Sequence, residues 1–299
     1  MRSRRDAGRL DTEVLVVDQA SSDGSVQAVA AEFPAAELVA LPANLGFAAG
    51  NNAGLRRACG RTVALLNNDT QVLPDALERC VRHLDAHPEV GLVGPQLLNP
   101  DGSKQNSVHN VPGLLTEVVP RGVLETLFPR RFPSKRYEHA GPVEVEGVLG
   151  ACMVVRREVV ERVGPLPEDY FMFLEETDWC WRIRRAGWLI HHLPDARVIH
   201  AHGATSKKRL PAETRIEYHR SLYHFFEKHH GVRSARALLA LRVAKGLLYA
   251  ATGWVGALAS KRRRERWRQD LRVLAWHLRG RPAGEGLVRL RGAPAAGAR

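Results

Sequence analysis

The run Thr62-Val-Ala-Leu-Leu66 constrains the fold of this 299-residue chain more than any other segment. It carries no charge on either alternate face, so as an extended strand it must be covered on both sides, the pattern of a parallel sheet sandwiched between helices. It stops at Asn67-Asn-Asp-Thr70, residue types that make turns. The neighbouring segments repeat the same arrangement. Glu13-Val-Leu-Val-Val-Asp18 reads as a strand that ends in a carboxylate, followed by the turn-rich Gln19–Gly24 and a helix over 25–32. Glu37–Leu41 reads as a second strand, and Asn44-Leu-Gly-Phe47 as a tight turn into a helix from about 48 to 58. Pro74 opens a helix running to Ala86, and Val90–Val93 is a fourth strand. Strands alternating with helices give an α/β fold with a mostly parallel sheet, whose ligands bind at the carboxyl ends of the strands. Asp18 and Asp69 both fall at such ends.

Composition excludes disordered, collagenous and disulfide-framework classes: 44% of residues are hydrophobic and 25% charged. Charge is the outlier, with 44 Lys and Arg against 32 Asp and Glu. The excess is local. Residues 1–206 hold 22 basic and 26 acidic residues, whereas residues 207–299 hold 22 and 6. A near-neutral body with a cationic appendage separates chemistry from anchoring. Cys59, Cys80, Cys152 and Cys180 form no Cys-x-x-Cys pair and read as buried free thiols of a reducing compartment. The first 14 residues are basic without an apolar stretch, so neither a secretory signal nor a first span is expected there, and the expected location is cytoplasmic.

Six motifs in order carry a resemblance: Val16-Val-Asp-Gln-Ala-Ser-Ser-Asp-Gly-Ser25, Asn44-Leu-Gly-Phe-Ala-Ala-Gly-Asn-Asn-Ala-Gly54, Leu65-Leu-Asn-Asn-Asp-Thr70, Gly150-Ala-Cys-Met153, the acidic-aromatic run Phe171–Arg182, and Val198-Ile-His-Ala-His-Gly203. Together they resemble family 2 glycosyltransferases of the GT-A fold, a Rossmann-like sheet flanked by helices, and most resemble the rhamnosyltransferase and galactofuranosyltransferase branch. The resemblance spans about residues 12–230.

It implies transfer of a sugar, with inversion, from a nucleotide-diphosphate donor to a hydroxyl of a glycan or polyprenyl-linked acceptor. It also implies a divalent cation, Mg²⁺ or Mn²⁺, held by Asp69 and His200, where the family's Asp-x-Asp is here Asn67-Asn68-Asp69, one carboxylate poorer. Asp18 is implied to contact the base or ribose, and Ser21, Asn44, Gly46, Asn51, Asn67 and Asn68 complete the implied donor site. Glu176 is the implied base, Asp178 the second candidate, and Glu175 a residue that orients the site. On the residues alone, other accounts stay open. Glu175-Glu176-Thr177-Asp178 is also the acidic first turn of a helix over 176–186, Asp69 also a turn cap, and His200 one of four neighbouring histidines able to serve structural roles. The Pro-containing segment 95–143 reads as an irregular insertion near the acceptor.

Two departures qualify the resemblance. The family places a further strand and helix before the strand that ends at Asp18, and only about a dozen residues precede it here, so a sheet with an open edge, or a start placed too late, is expected. The C-terminal part adds a segment the resemblance does not cover. There the apolar stretch 237–259 and the run Lys261-Arg-Arg-Arg-Glu-Arg-Trp-Arg268 read as two basic amphipathic helices suited to an anionic membrane surface, peripheral on its inner face. The expected organisation is a catalytic domain over 1–230, basic helices over 231–280 and a disordered tail over 281–299. The first alternative is a non-catalytic sugar-nucleotide-binding scaffold that has lost activity, and the second, less favoured, is a nucleic-acid-binding protein, which the pI and the arginine run would suit. Nucleic acid is not an expected partner, because the arginine run comes without a base-reading module.

Overall fold

The computed structural model describes residues 10–129, 131–132, 139–201 and 211–291. Its strands are β1 (Leu15–Gln19), β2 (Glu37–Leu41), β3 (Thr62–Leu66), β4 (Thr70–Val72), β5 (Val90–Leu98), β6 (Val108–His109), β7 (Val143–Glu144), β8 (Gly147–Val148), β9 (Cys152–Arg156) and β10 (Leu189–His200). Its helices are α1 (Ser25–Glu32), α2 (Phe47–Leu55), α3 (Ala76–Ala86), α4 (Leu114–Val118), α5 (Arg121–Leu127), α6 (Arg157–Val163), α7 (Glu175–Arg185), α8 (Pro211–Ala259) and α9 (Lys261–Leu278).

The main sheet runs β3-β9-β5-β10-β4, with β7 also on β10. It is mixed. β5 and β10 pair parallel, while β9 lies antiparallel between β3 and β5. Both faces are covered, and strand periodicity divides the core: Met153 and Val155 of β9 pack with α2, α6 and α7, while Cys152 and Val154 pack with α3 through Cys80 and Leu84. Cys80, Cys152 and Cys180 are buried free thiols as expected, but Cys59 is exposed because it sits in the turn that leads to β3.

β5 runs through Pro95 to Leu98, beyond the end expected at Val93. β9 pairs only with Leu92 and Val93, so Pro95 lies past that ladder, where a missing N–H is tolerated. The segment 95–143 is accordingly less irregular than expected, holding the end of β5, β6, α4 and α5; Pro133 lies outside the described residues.

β1 and β2 pair parallel with each other and, among the described residues, with no other strand. The facing edge of the main sheet is β3; its Ala64 and Leu66, on the face shared with Cys152 and Val154, are exposed, so this apolar strand is covered on one face and not on both as expected. This is the open edge expected beside the Asp18 strand. The ribbon is held by side chains instead: the Glu13 carboxylate accepts from the amides of Cys59 and Gly60, and Val17 and Gln19 pack against Gly54 and Gly50 of α2.

α8 breaks at Gly231, whose φ of 81° belongs to the left-handed region. The break coincides with the expected boundary at 230, yet the core crosses it. Phe225 and Phe226 before the break, Leu238 after it, and Val273 and Trp276 of α9 form one cluster. The tail departs from the expected disorder as far as Arg291, because Leu287 is buried in a short 3₁₀ turn and the Val288 amide donates to Glu217 at 3.0 Å. Residues 292–299 lie outside the described residues.

Candidate active site

β3 delivers its last residue, Leu66, to a turn in which the Thr70 amide and hydroxyl both donate to the Asn67 carbonyl, at 3.2 and 2.5 Å. β4 then pairs antiparallel with the end of β10, Thr70 opposite His200. That register brings two residues 131 positions apart in sequence side by side. The Asp69 carbonyl accepts from the Ala201 amide, and Asp69 Oδ1 lies 3.3 Å from His200 Nε2. Gln105 fixes the imidazole from behind, its Oε1 lying 2.8 Å from Nδ1 while its Nε2 donates to Asn99 and to the His200 carbonyl. With Nδ1–H donated to Gln105, Nε2 faces the carboxylate as a second electron-pair donor, the orientation a cation requires.

Chemically this pair fits a divalent cation. It is a small set: among the described residues no three His, Cys, Asp or Glu side chains meet at one point, so oxygens of a diphosphate and water would complete the shell of a hard metal. His202, the other histidine of that motif, lies outside the described residues. Asn67 is tied to the second half of the site, since its amide donates to the Ala151 carbonyl. Asn68 follows it in the same turn.

Gly150, next to Ala151, touches both sides of the site. A side chain at that position would come within 3.0 Å of Phe47 at the start of α2 and 3.7 Å of Glu176 Cβ. Glu176 and Glu175 open α7, and the two residues before them, Phe173 and Leu174, have φ of 72° and 69°. Consecutive non-glycine residues in the left-handed region store strain of the kind found at functional sites.

Both glutamates have a buried Oε2 with no hydrogen-bond partner among the described residues. Burial pushes the Glu175 carboxyl well above its ordinary value, and the neighbouring Glu176 charge adds to this. Burial also raises Glu176, against the pull of the backbone amides at the helix start. Asp178 is placed differently. It accepts from Tyr170 Oη (3.0 Å), Arg182 Nε (3.0 Å) and His229 Nε2 (2.8 Å), with Lys228 Nζ at 3.0 Å. Although burial opposes it, the His229 and Lys228 partners hold its pKa below the usual carboxylate range.

A cavity of about 600 Å³ opens on Glu176. Thr177, Phe173 and Tyr218 form one side, His109 and Leu149 another, and Thr116, Glu117 and Leu124 of α4–α5 a third. His109 lies over Gly147, its partner in the β6–β8 ladder, which leaves no room for a side chain there.

Of the residues implied for donor binding, Asp18, Ser21, Asn44 and Gly46 lie on the ribbon side, while Asn67 and Asn68 stay in the turn with Asp69. Asp18 Oδ2 accepts from the Ser21 amide at 3.0 Å across a turn in which Ala20 has φ of 60°. Asn44 Oδ1 accepts from the Gly46 amide, and the Leu45 amide donates to Gln19 Oε1 at 3.0 Å. Gly46, at φ 96°, lies so close to the Phe171 carbonyl that a Cβ would stand 2.5 Å from it. Asn51 is the odd member: its amide is spent on the Phe47 carbonyl within α2. Its neighbour Asn52, which the sequence did not single out, is buried and clamps Leu166 through both backbone groups and Glu168 through its side chain.

A sequence profile of glycosyl transferase family 2 matches residues 2–164. An N-acetylglucosaminyl-diphospho-decaprenol L-rhamnosyltransferase of Mycobacterium tuberculosis is 33% identical over 232 residues, covering 73% of this chain and 75% of its own. The chain belongs to glycosyl transferase family 2. Other family 2 relatives include the dTDP-rhamnosyl transferase RfbF of Shigella flexneri, 23% identical over 198 residues, 65% of this chain and 62% of that one. In solved structures the GT-A fold recurs in a mannosyltransferase from Pyrobaculum calidifontis, in complex with GDP-Man and Mn²⁺. It has a TM-score of 0.52 and 24% identity over 90% of this chain and 79% of that one.

Proposed function

We propose that this family 2 glycosyltransferase moves a rhamnose-like sugar, with inversion, from a nucleoside-diphosphate donor to a hydroxyl of a lipid-linked or cell-envelope glycan. The observation that carries the reading is the convergence at Gly150. On one side stands the Asp69–His200 pair, reached through Asn67 and Ala151, and on the other Glu176 at the floor of an apolar-walled cavity. The rhamnosyltransferase relatives favour the sugar and the lipid-diphosphate class of acceptor.

In this reading the Glu176 carboxylate takes the proton of the acceptor hydroxyl. The acceptor oxygen then bonds to the anomeric carbon from the face opposite the leaving group, and the bond to the phosphate oxygen breaks with its electron pair leaving on the diphosphate. Raising the carboxyl's pKa strengthens it as a base while it is ionised. Asp69 and His200 would hold Mg²⁺ or Mn²⁺, which when bound supplies positive charge to the departing diphosphate. Asp18, Ser21, Asn44 and Gly46 bind the nucleoside side, where short backbone turns allow close approach. Asp178, already engaged by four donors, is assigned to positioning α7, and Glu175 to keeping the pocket protonated and neutral beside the base.

Transfer from dTDP-rhamnose to a polyprenyl-diphosphate-linked amino sugar, followed by release of dTDP, tests the reading. Asp69→Ala and Glu176→Gln are each expected to lower turnover at least 10²-fold with the circular dichroism spectrum unchanged. Wild-type rates in both variants would overturn the assignment.

A further inference from the structure

Beyond the active site, the largest unexplained surface is apolar and lies on the second half of α8. Its most apolar 18-residue window is long and apolar enough to cross a membrane by length and composition, yet only 6% of that window is buried. α9 covers one face only: Leu274 packs on Gly246, and Trp267 packs on Gly253 while its indole donates to the Ala250 carbonyl at 3.1 Å. At 100° per residue from Gly246, Leu247, Leu248, Trp254, Val255 and Leu258 fall between about 80° and 200°, an arc that begins beside the α9 contact and runs to the far side, and all five are exposed, Leu258 to 72%. Arg242 and Lys245 do not interrupt this arc, because both turn to Glu117 of α4, by an ion pair and by a bond to its carbonyl at 2.9 Å.

Beside the stripe, the first turns of α9 expose Lys261, Arg262, Arg263, Arg264, Arg266 and Arg268 against a single Glu265. We infer that the outer face of α8 and the basic first turns of α9 form one platform that seats in an anionic lipid surface. The part of this inference that concerns a lipid-borne acceptor rests on the function proposed above; the docking itself does not.

Charge selects this occupant. Six exposed basic residues beside an apolar stripe match acidic headgroups, each contributing roughly fivefold in partitioning, whereas a second copy seated on the same face would bring like charge to like. Lying in the interface also suits the helix better than crossing. Insertion would carry the exposed arginines of α9, which runs along the flank of the stripe, into hydrocarbon.

Co-sedimentation of the full chain with vesicles tests this without donor or acceptor present. Binding is expected to equimolar phosphatidylglycerol and phosphatidylethanolamine, at least tenfold stronger than to phosphatidylcholine alone. Trp254→Glu with Leu258→Glu should weaken it tenfold or more, with unchanged thermal unfolding and unchanged dTDP binding by calorimetry. Transfer to a polyprenyl-linked acceptor in those vesicles should fall with it, while transfer to a water-soluble analogue should not. Equal binding to both vesicle types, or a double variant that binds like wild type, would overturn the proposal. So would a dimer that Trp254→Glu dissociates in the absence of vesicle binding. If no sugar is transferred but vesicle binding behaves as stated, the functional reading fails and the platform stands.

Discussion

In the proposed mechanism Glu175 and Glu176 are adjacent carboxylates with different tasks, and pH separates them. Glu176 must be ionised to accept a proton, so turnover should fall as pH drops through its raised value, and the Glu176→Gln variant should lose that acid limb along with its rate. A pH–kcat profile checks this. Glu175 enters through stability. Its carboxyl binds a proton more tightly folded than unfolded, so the stability it contributes is complete below the ordinary value of 4.5 and is lost as pH rises through the raised value. Glu175→Gln should therefore raise the unfolding temperature at pH 7 to 8 by a few degrees, about 2–4 °C per kcal/mol for a protein of this size, with the gain vanishing below pH 4.5. Gln105 touches no reacting group in this reading but sets the His200 ring. Gln105→Ala should weaken Mn²⁺-dependent dTDP binding roughly 10–100-fold, the usual effect of losing a ligand's hydrogen-bond partner. Calorimetry with and without Mn²⁺ measures it, and metal-independent binding should not change.

Between elements, Asp178 joins α7 to α8. Removing its carboxylate would leave Arg182, Lys228, His229 and the Tyr170 hydroxyl facing a buried vacancy. Asp178→Ala should accordingly cost about 3–5 kcal/mol in urea unfolding, a loss that Glu176→Gln should not show. Which side chains share such a hub was the part the sequence concealed. The helix 25–32 and the strands 37–41 and 62–66 were legible to the residue, because alternation and turn chemistry are local signals. Asp69 and His200 could be paired only through the resemblance. The register that joins them is set by β4, three residues long and without a pattern of its own. Gln105, 95 residues from His200, and Asn52, 114 from Leu166, carry no periodicity that betrays a long-range bond. The left-handed pair Phe173–Leu174 was equally hidden, since glycine, the usual marker of that conformation, is absent there.

At the scale of the whole molecule, the ribbon of β1 and β2 has a thermodynamic consequence. Two strands alone are marginal, and no ladder bond couples these to the main sheet among the described residues. The ribbon should then open on its own, as a separate cooperative unit of lower local stability. Amides of Val16 to Asp18 should exchange with deuterium at least tenfold faster than those of Val154 and Val155 in β9, read by hydrogen-exchange mass spectrometry. Because Asp18 and Ser21 ride on this unit while Asp69 and His200 belong to the main sheet, a donor that bridges them must spend part of its affinity on closing the ribbon. Adding dTDP with Mn²⁺ should slow exchange in β1 and leave β9 unaltered, so that the nucleotide serves as the clasp between two halves that the backbone leaves unjoined.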